Sequence, residues 1–517
     1  MCLVYVILTF AVLLDVGSCA KILGIVPTPS YSHQVVFLSL FKELSLRGHQ
    51  LTVLTTDPMN DPKLVNLTEI DLHFSYKIWN ERIMKNALNF NDDPIGSIID
   101  FYESTIEIQD EQLRHSSVRA LIEGDEKFDL IIIEAIMPAM FGFVAKFKCP
   151  YIAMLSLEAP SSDWYAAMGS PTHPVLYSDG IYPFDDRLTF VERFLVTLGT
   201  PLFQIFANYI CSLQEHLIKN HFGTDSPPAK YLIRNADMLF VNTDPIFHRV
   251  RPLVPTVLQI GGGSHMNPQK PLPQDLQAAL DNATKGFIYF SLGTNVKSKD
   301  IPLKLRNIIL ETFSELPYTI LWKFEDEKLP NKPNNVIVSP WLPQQDVLRH
   351  SNIKLFITQG GLQSLEEAIY SGVPMVGMPF FGDQPANVKR MEIKGVSLTV
   401  NYATLTKEEF KGKILEVIQL PRYRNRVREL ANLAQDQPMT GLERAVWWSE
   451  YVIRHKGAGH LRSPLLDIPW YQYLLLDVLA VLLGTFLVIL YILYVLARFL
   501  VRLLLKYKRN NVEKKTK

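Results

Sequence analysis

The sequence predicts an α/β protein of two domains with one C-terminal membrane helix, and three observations carry that expectation. Strand-length apolar runs alternate with helical-period stretches over residues 21–157 and again from Gly286 onward. The stretch Pro252 to Pro273, dense in Pro and Gly, separates the two series as a linker. Near the end, Val478 to Ala497 runs for twenty residues without a charge, enough for a helix to cross a bilayer.

The 517 residues suit two or three domains, and 48% hydrophobic with 20% charged residues fits a globular chain carrying a membrane segment. Lys+Arg and Asp+Glu balance at 52 each, so no electrostatic footprint for nucleic acid exists. The basic residues are uneven. Arg498, Arg502, Lys506, Lys508, Arg509, Lys514, Lys515 and Lys517 crowd the tail with Glu513 as the one acid among them.

In chain order, residues 1–20 read as a secretory signal. An apolar run from Leu3 to Leu14 precedes small residues, with Ser18 and Ala20 at the cleavage spacing. The first domain is expected over residues 21–250. Lys21 to Val26 reads as a strand, Ser32 as the cap of a helix from His33 to Arg47, Gly48 as its stop and Gln50 to Thr56 as the next strand. A second unit follows at Phe128 to Glu134, with a helical stretch from Pro138 to Phe147 and a strand at Tyr151 to Leu157. Residues 60–125 and 158–230 break the rhythm and read as the substrate-facing part of the domain.

A linker over 251–285 leads to the second domain at 286–455. Its strands are expected at Phe287–Leu292, Thr319–Lys323, Val336–Val338 and Ile353–Thr358. A juxtamembrane segment at 456–473, a transmembrane helix at 474–498 and a basic tail at 499–517 complete the chain. Trp470, Tyr471 and Tyr473 stand where interfacial aromatics belong, and the positive-inside rule keeps the tail cytoplasmic with the bulk of the chain lumenal or extracellular. Cys149 and Cys211 outlast the signal and allow at most one bridge. Asn66 and Asn282 head glycosylation sequons.

The chemistry concentrates in the second domain. The strand Ile353–Thr358 turns through Gln359, Gly360 and Gly361 into a helix marked by Leu362, Leu365, Ala368 and Ile369. Gly372 and Pro374 end that helix ahead of a second apolar run, Met375 to Phe381. A glycine turn at a helix N-terminus presents free N–H groups and the positive dipole end to an anion. Gln363, Ser364, Glu367, Asp383 and Gln384 follow it and suit a nucleotide sugar. A second glycine turn, Phe290-Ser291-Leu292-Gly293-Thr294, and the proline-flanked loop from Trp341 through Gln344 to Asp346 add to it. In the first domain, His33 follows the first strand and Glu134 ends another, at the sheet edge where open α/β folds bind ligands. The motifs for a metal-held diphosphate, zinc, a serine nucleophile or a P-loop are missing.

The segment from Phe356 to Asn387 resembles the signature of the UDP-glycosyltransferases that have two facing Rossmann-like domains (the GT-B architecture), insect members in particular, and the likeness extends over nearly the whole mature chain. The resemblance implies transfer of a hexose from a UDP-sugar, with UDP-glucose as the expected donor, to a hydroxyl of a small lipophilic acceptor, with inversion and with no metal or other cofactor. His33 inherits the role of general base and Glu134 that of its partner, where the family usually has Asp. Ser291, Gly293, Thr294, Gln359, Gly360 and Gly361 inherit the diphosphate, Trp341 and Gln344 the uracil, Glu367 the ribose, and Asp383 with Gln384 the sugar hydroxyls. Gln363 and Ser364 join the donor set. Gln359 departs from the usual His: it keeps a donor but carries no charge.

The resemblance also implies an endoplasmic-reticulum membrane protein, its final Lys-Lys-Thr-Lys resembling a dilysine retrieval signal, and homo- or hetero-oligomers with related transferases. The alternative is a weakly active or inactive relative that binds UDP-sugars or lipophilic ligands.

Overall fold

A computed structural model describes residues 19–84, 94–177, 179, 182, 184, 187–326 and 328–515. The expected signal lies outside them except for Cys19 and Ala20. Strands β1 (Lys21–Val26), β2 (Gln50–Thr55), β3 (Leu67–Asp71), β4 (Leu130–Glu134), β5 (Tyr151–Leu155), β6 (Met238–Val241) and β7 (Val257–Gln259) form one sheet in the order β3-β2-β1-β4-β5-β6-β7. Strands β8 (Phe287–Ser291), β9 (Thr319–Lys323), β10 (Val336–Ser339), β11 (Ile353–Thr358), β12 (Met375–Gly377) and β13 (Ser397–Thr399) form the other, ordered β10-β9-β8-β11-β12-β13. The pairings are parallel in both sheets.

Continuous apolar runs dictate this arrangement, because a parallel sheet covered by helices buries both its faces. In β4, Ile131 and Ile133 enter one core while Leu130 and Ile132 enter the core on the opposite face. In β8, Ile288 and Phe290 divide from Phe287 and Tyr289 in the same way. Strand order reverses between β1 and β4 in the first sheet and between β8 and β11 in the second. Each reversal opens a crevice at the carboxyl ends of its strands.

The structure corrects four expectations. The first helix spans Tyr31–Leu46 with Ser30, not Ser32, at its N-cap; the Ser30 hydroxyl makes no capping bond and instead meets Ser32 and Asn295. Residues 60–125 are not irregular, since they hold β3 and the helices Pro94–Arg114 and Ser116–Glu123. The reason is a polar core: buried Gln109 bonds the Thr105 carbonyl, Gln214 and the Ala139 N–H, while buried Gln112 bonds the Pro27 carbonyl and Ser75. Residues 158–230 contain a 24-residue helix, Phe190–Leu213. Val257–Gln259, inside the expected linker, is the edge strand of the first sheet.

The chain crosses between the domains twice. It leaves after β7 and returns through the helix Gly441–His455, whose Ala445, Val446 and Val452 pack in one core with Phe37, Phe41 and Ile132. The two crossings touch: a Cβ added at Gly441 would collide with the carbonyls of Ile260 and Gly261. Ser463–Lys517 forms a separate unit. The apolar window of its helix Leu476–Lys515 has a mean hydropathy of 2.8 and nothing buried, and the helix continues without a break into the basic tail.

Candidate active site

A cleft of about 1580 Å³ between the two domains is lined by residues of both. On the first-domain side, Glu134 ends β4 with its side chain fully buried. Its Oε2 accepts from the Thr28 backbone N–H at 3.2 Å and the Thr28 hydroxyl at 2.6 Å, and its Oε1 lies 2.8 Å from His33 Nδ1. A carboxylate that already accepts from two donors meets the imidazole as an acceptor too, which fixes the proton on Nδ1 and leaves Nε2 as the basic nitrogen. His33, in the first turn of its helix, lines the cleft. The extra methylene of Glu relative to the family's usual Asp thus still reaches His33.

On the second-domain side, the turn after β11 places Gly360 at φ +90° and Gly361 at the N-cap of the helix Leu362–Tyr370. The turn after β8 puts Gly293 at φ +74° with its N–H on the Ser291 hydroxyl at 3.2 Å. The two turns meet: a side chain on Gly293 would strike the amide of Gln359. Thr294 lines the same end of the cleft. Trp341 is 57% exposed, with Tyr31 of the first domain edge-on at 5.7 Å. Gln344 accepts from Tyr289 at 3.1 Å and donates to Ser364 at 2.9 Å and to Glu367 at 2.6 Å. Gln345 donates to the other Glu367 oxygen at 2.9 Å.

Behind this carboxylate, buried His265 lies 3.4 Å from Glu367 and 3.6 Å from Glu366. Burial alone raises the Glu367 pKa, but His265, Gln344 and Gln345 outweigh it and hold the carboxyl below the ordinary range. Burial pushes Glu366 up to about 7.

Asp383 lines the cleft and accepts from Asn387 at 2.6 Å. Gln384 turns its carbonyl onto the backbone N–H groups of Phe380 and Phe381 at 2.9 and 3.3 Å, which leaves its NH₂ end as the donor for a ligand. Gln363 is turned across the cleft, where it donates to the Ser156 carbonyl of the first domain at 2.9 Å.

The structure therefore gathers the sequence-derived site residues around one cleft, with Gln363 spanning between domains. Of the sequon residues, Asn282 is exposed. Asn66 gives its amide to the Ser45 and His49 carbonyls at 2.8 and 2.6 Å, bonds that a glycan there would have to break. Cys149 and Cys211 are unbonded.

Sequence reasoning missed Lys323, Glu158 and His265. Glu158, from the first domain, pairs with Arg251 at 3.0 Å and reaches Arg390 of the second domain at 2.9 Å. The signal for Lys323 was its position at the carboxyl end of β9. The stretches 60–125 and 158–230 supply the apolar wall: Trp79, Ile83, Phe101, Trp164, Phe203, Phe206 and Ile210.

Two facing parallel-sheet domains, with a histidine–carboxylate pair on one and glycine turns on the other, define a glycosyltransferase of the GT-B class. The chain belongs to the family described as "UDP-glucoronosyl and UDP-glucosyl transferase", which it matches over residues 20–511, and it is a UDP-sugar glycosyltransferase. It is 35% identical to the UDP-glycosyltransferase UGT5 of Dactylopius coccus over 94% of this chain and 93% of that one. It is 32% identical to an ecdysteroid UDP-glucosyltransferase of Spodoptera littoralis nuclear polyhedrosis virus, over 90% and 94%. Among solved structures, TcCGT1 in complex with UDP shares the fold with a TM-score of 0.57 at 15% identity, covering 85% of this chain and all of that one.

Proposed function

We propose that the enzyme transfers glucose from UDP-glucose to a hydroxyl of a small lipophilic acceptor, in detoxification or conjugation of endogenous metabolites, with inversion and without a metal. The observation that carries this reading is His33 held on buried Glu134 at the mouth of an apolar wall, facing the helix N-terminus of the other domain. Nε2 takes the acceptor proton as the oxygen attacks the anomeric carbon, and Glu134 stabilises the imidazolium that forms. Attack from the face opposite UDP converts an α-linked donor into a β-glycoside. The departing diphosphate gathers charge at Gly360, Gly361 and the Leu362–Tyr370 helix N-terminus, which supports a reaction with no metal.

Trp341 would stack on uracil, Glu367 would accept the ribose hydroxyls once Gln344 and Gln345 yield, and Asp383 with Gln384 would hold the sugar. The wall of Trp79, Phe101, Trp164 and Phe206 suits an apolar acceptor. Relatives named for ecdysteroid and 2-hydroxyacylsphingosine acceptors point the same way.

The cellular reading is a single-pass endoplasmic-reticulum protein, catalytic domains lumenal, with Asn282 glycosylated. The helical stretch Phe190–Phe222, made of the helix Phe190–Leu213 and the short one after it, is also long and apolar enough to span, but its Phe203, Phe206 and Ile210 line the cleft, so the span is assigned to Leu476–Asn511.

UDP release by purified protein with UDP-glucose and a panel of phenols and sterols tests the activity, and the anomeric proton coupling of the product reports inversion. Turnover that vanishes in EDTA and returns only with Mn²⁺ counts against the mechanism. In sealed microsomes, protease should remove the tail alone.

A further inference from the structure

Gln359 sets a problem of charge. A UDP-sugar brings two negative charges to the glycine turns, and the leaving group gains more as the glycosidic bond breaks. An amide answers with a dipole only, and a helix N-terminus is equivalent to roughly half a unit charge. Among the described residues lining the cleft, Lys323 is the one lysine or arginine that the second domain supplies; Lys230 and Arg234 come from the first domain and Lys270 from the linker.

Lys323 stands at the carboxyl end of β9, beside β8 and its glycine turn. Its side chain is almost fully buried, and Nζ donates to the Gly293 carbonyl at 2.8 Å and to Glu325 at 3.0 Å. The same Nζ lies 5.5 Å from the centre of the Trp341 ring. The ammonium is thus held between the turn that meets Gln359 and the exposed indole. A nucleotide stacked on Trp341 with its phosphates at the glycine turns must run past it.

We propose that Lys323 is the diphosphate-binding cation of this enzyme, supplying across the Gly293 turn the charge that Gln359 lacks, with Glu325 as the counter-ion that holds it there before the donor binds. The inference rests on the donor-site reading above and deepens it. A charge-assisted hydrogen bond contributes about twice what a neutral one does, and more in a desolvated cleft. Glu325 offers one negative charge and the diphosphate two, so the phosphates draw the ammonium toward the turn.

Titration calorimetry of the full-length protein in detergent, with UDP and with uridine, tests this. Lys323→Met should weaken UDP binding about tenfold or more while uridine binding changes less than twofold, and Lys323→Arg should stay near wild type. Gln359→His in the Lys323→Met background should recover UDP affinity, more at pH 6 than at pH 8, because the imidazole charges only at the lower pH. Glu325→Gln releases the ammonium and should tighten UDP, a result that does not depend on the Lys323 variants folding.

Equal losses for UDP and uridine would show that Lys323 merely supports Trp341 and would overturn the proposal. Unchanged UDP affinity in Lys323→Met, or weaker UDP binding in Glu325→Gln, would overturn it too. A wild-type protein that binds neither UDP nor UDP-glucose would bring down the donor-site reading itself, and this inference with it.

Discussion

Glu134 divides its two oxygens between His33 and Thr28: Oε1 lies 2.8 Å from His33 Nδ1, and Oε2 accepts both the N–H and the hydroxyl of Thr28. One buried carboxylate therefore joins the end of β1's following turn, the first turn of the next helix and the end of β4. Orientation of the His33 imidazole and integrity of the sheet edge depend on the same side chain.

His33→Ala should lower turnover by roughly 10²–10⁴, the range for losing a general base, with UDP affinity unchanged in calorimetry. Glu134→Gln removes the charge behind the imidazolium and accepts at one end only, so it cannot serve both the Thr28 donors and the His33 N–H. Its loss in kcat should still be smaller than that of His33→Ala, because the imidazole itself remains. Glu134→Asp should fall between wild type and Glu134→Gln, since the shorter side chain keeps the charge but cannot hold both partners at these distances. A His33→Ala enzyme as fast as wild type would show that the base is misassigned.

Trp341→Ala should raise the Kd for UDP and for uridine alike, by about 1–3 kcal/mol, the range for stacking a base on an aromatic ring. Trp341→Phe should retain most of the affinity. Calorimetry with the two ligands separates this effect from a charge effect, which uridine does not feel.

Gly360 combines a left-handed backbone, φ +90°, with a missing side chain whose Cβ would enter Val388. Gly360→Ala should destabilise the second domain by roughly 1–3 kcal/mol and abolish measurable UDP binding. Adding Val388→Ala removes the collision but not the backbone strain, so thermal unfolding should show partial recovery only.

Stability should vary with pH through the buried pair Glu366 and His265 behind Glu367. Burial raises Glu366 from 4.5 to about 7, so between those values the folded chain binds more protons than the unfolded one, and stability falls as pH rises. For His265 burial works downward, but Glu367 and Glu366 lift its pKa above 6.5. Its contribution is therefore complete below 6.5 and is also lost as pH rises through the folded value. Glu366→Gln should gain in melting temperature relative to wild type on going from pH 5 to pH 7. A difference that stays flat across that range would contradict the assignment.

The alternation of apolar runs with helical periods was enough to place β1, β2, β4 and β5 in one sheet and β8 to β11 in the other, because strands buried on two faces carry few polar residues to blur the pattern. The edge strand β3, with Glu69 and Asp71, and the short strands β6, β7 and β13 gave no such signal. Glycine turns and strand ends likewise exposed His33, Glu134 and Gln359 to Gly361, and flanking prolines exposed Trp341. The helix Pro94–Arg114 stayed hidden because Gln109 and Gln112, buried through bonds to Gln214, Ala139, Pro27 and Ser75 that are remote in sequence, look like surface residues. Lys323 stayed hidden for a related reason. A lysine at a strand end reads as solvated until the Gly293 carbonyl and Trp341, far away in sequence, are brought beside it.

Gly441 seated on Ile260 and Gly261 has a mechanical meaning. Two covalent passages that lie against each other act as adjacent pins on one edge of a door. Sliding and twisting of one domain past the other would drive the backbone at Gly441 into those carbonyls, so a swing about this edge is the motion the seating obstructs least. Each half then keeps its own geometry, His33 on Glu134 and Gln359 on Gly293, while the gap between the halves widens to admit donor and acceptor. The absence of a side chain at Gly441 sets how tightly that door is hung.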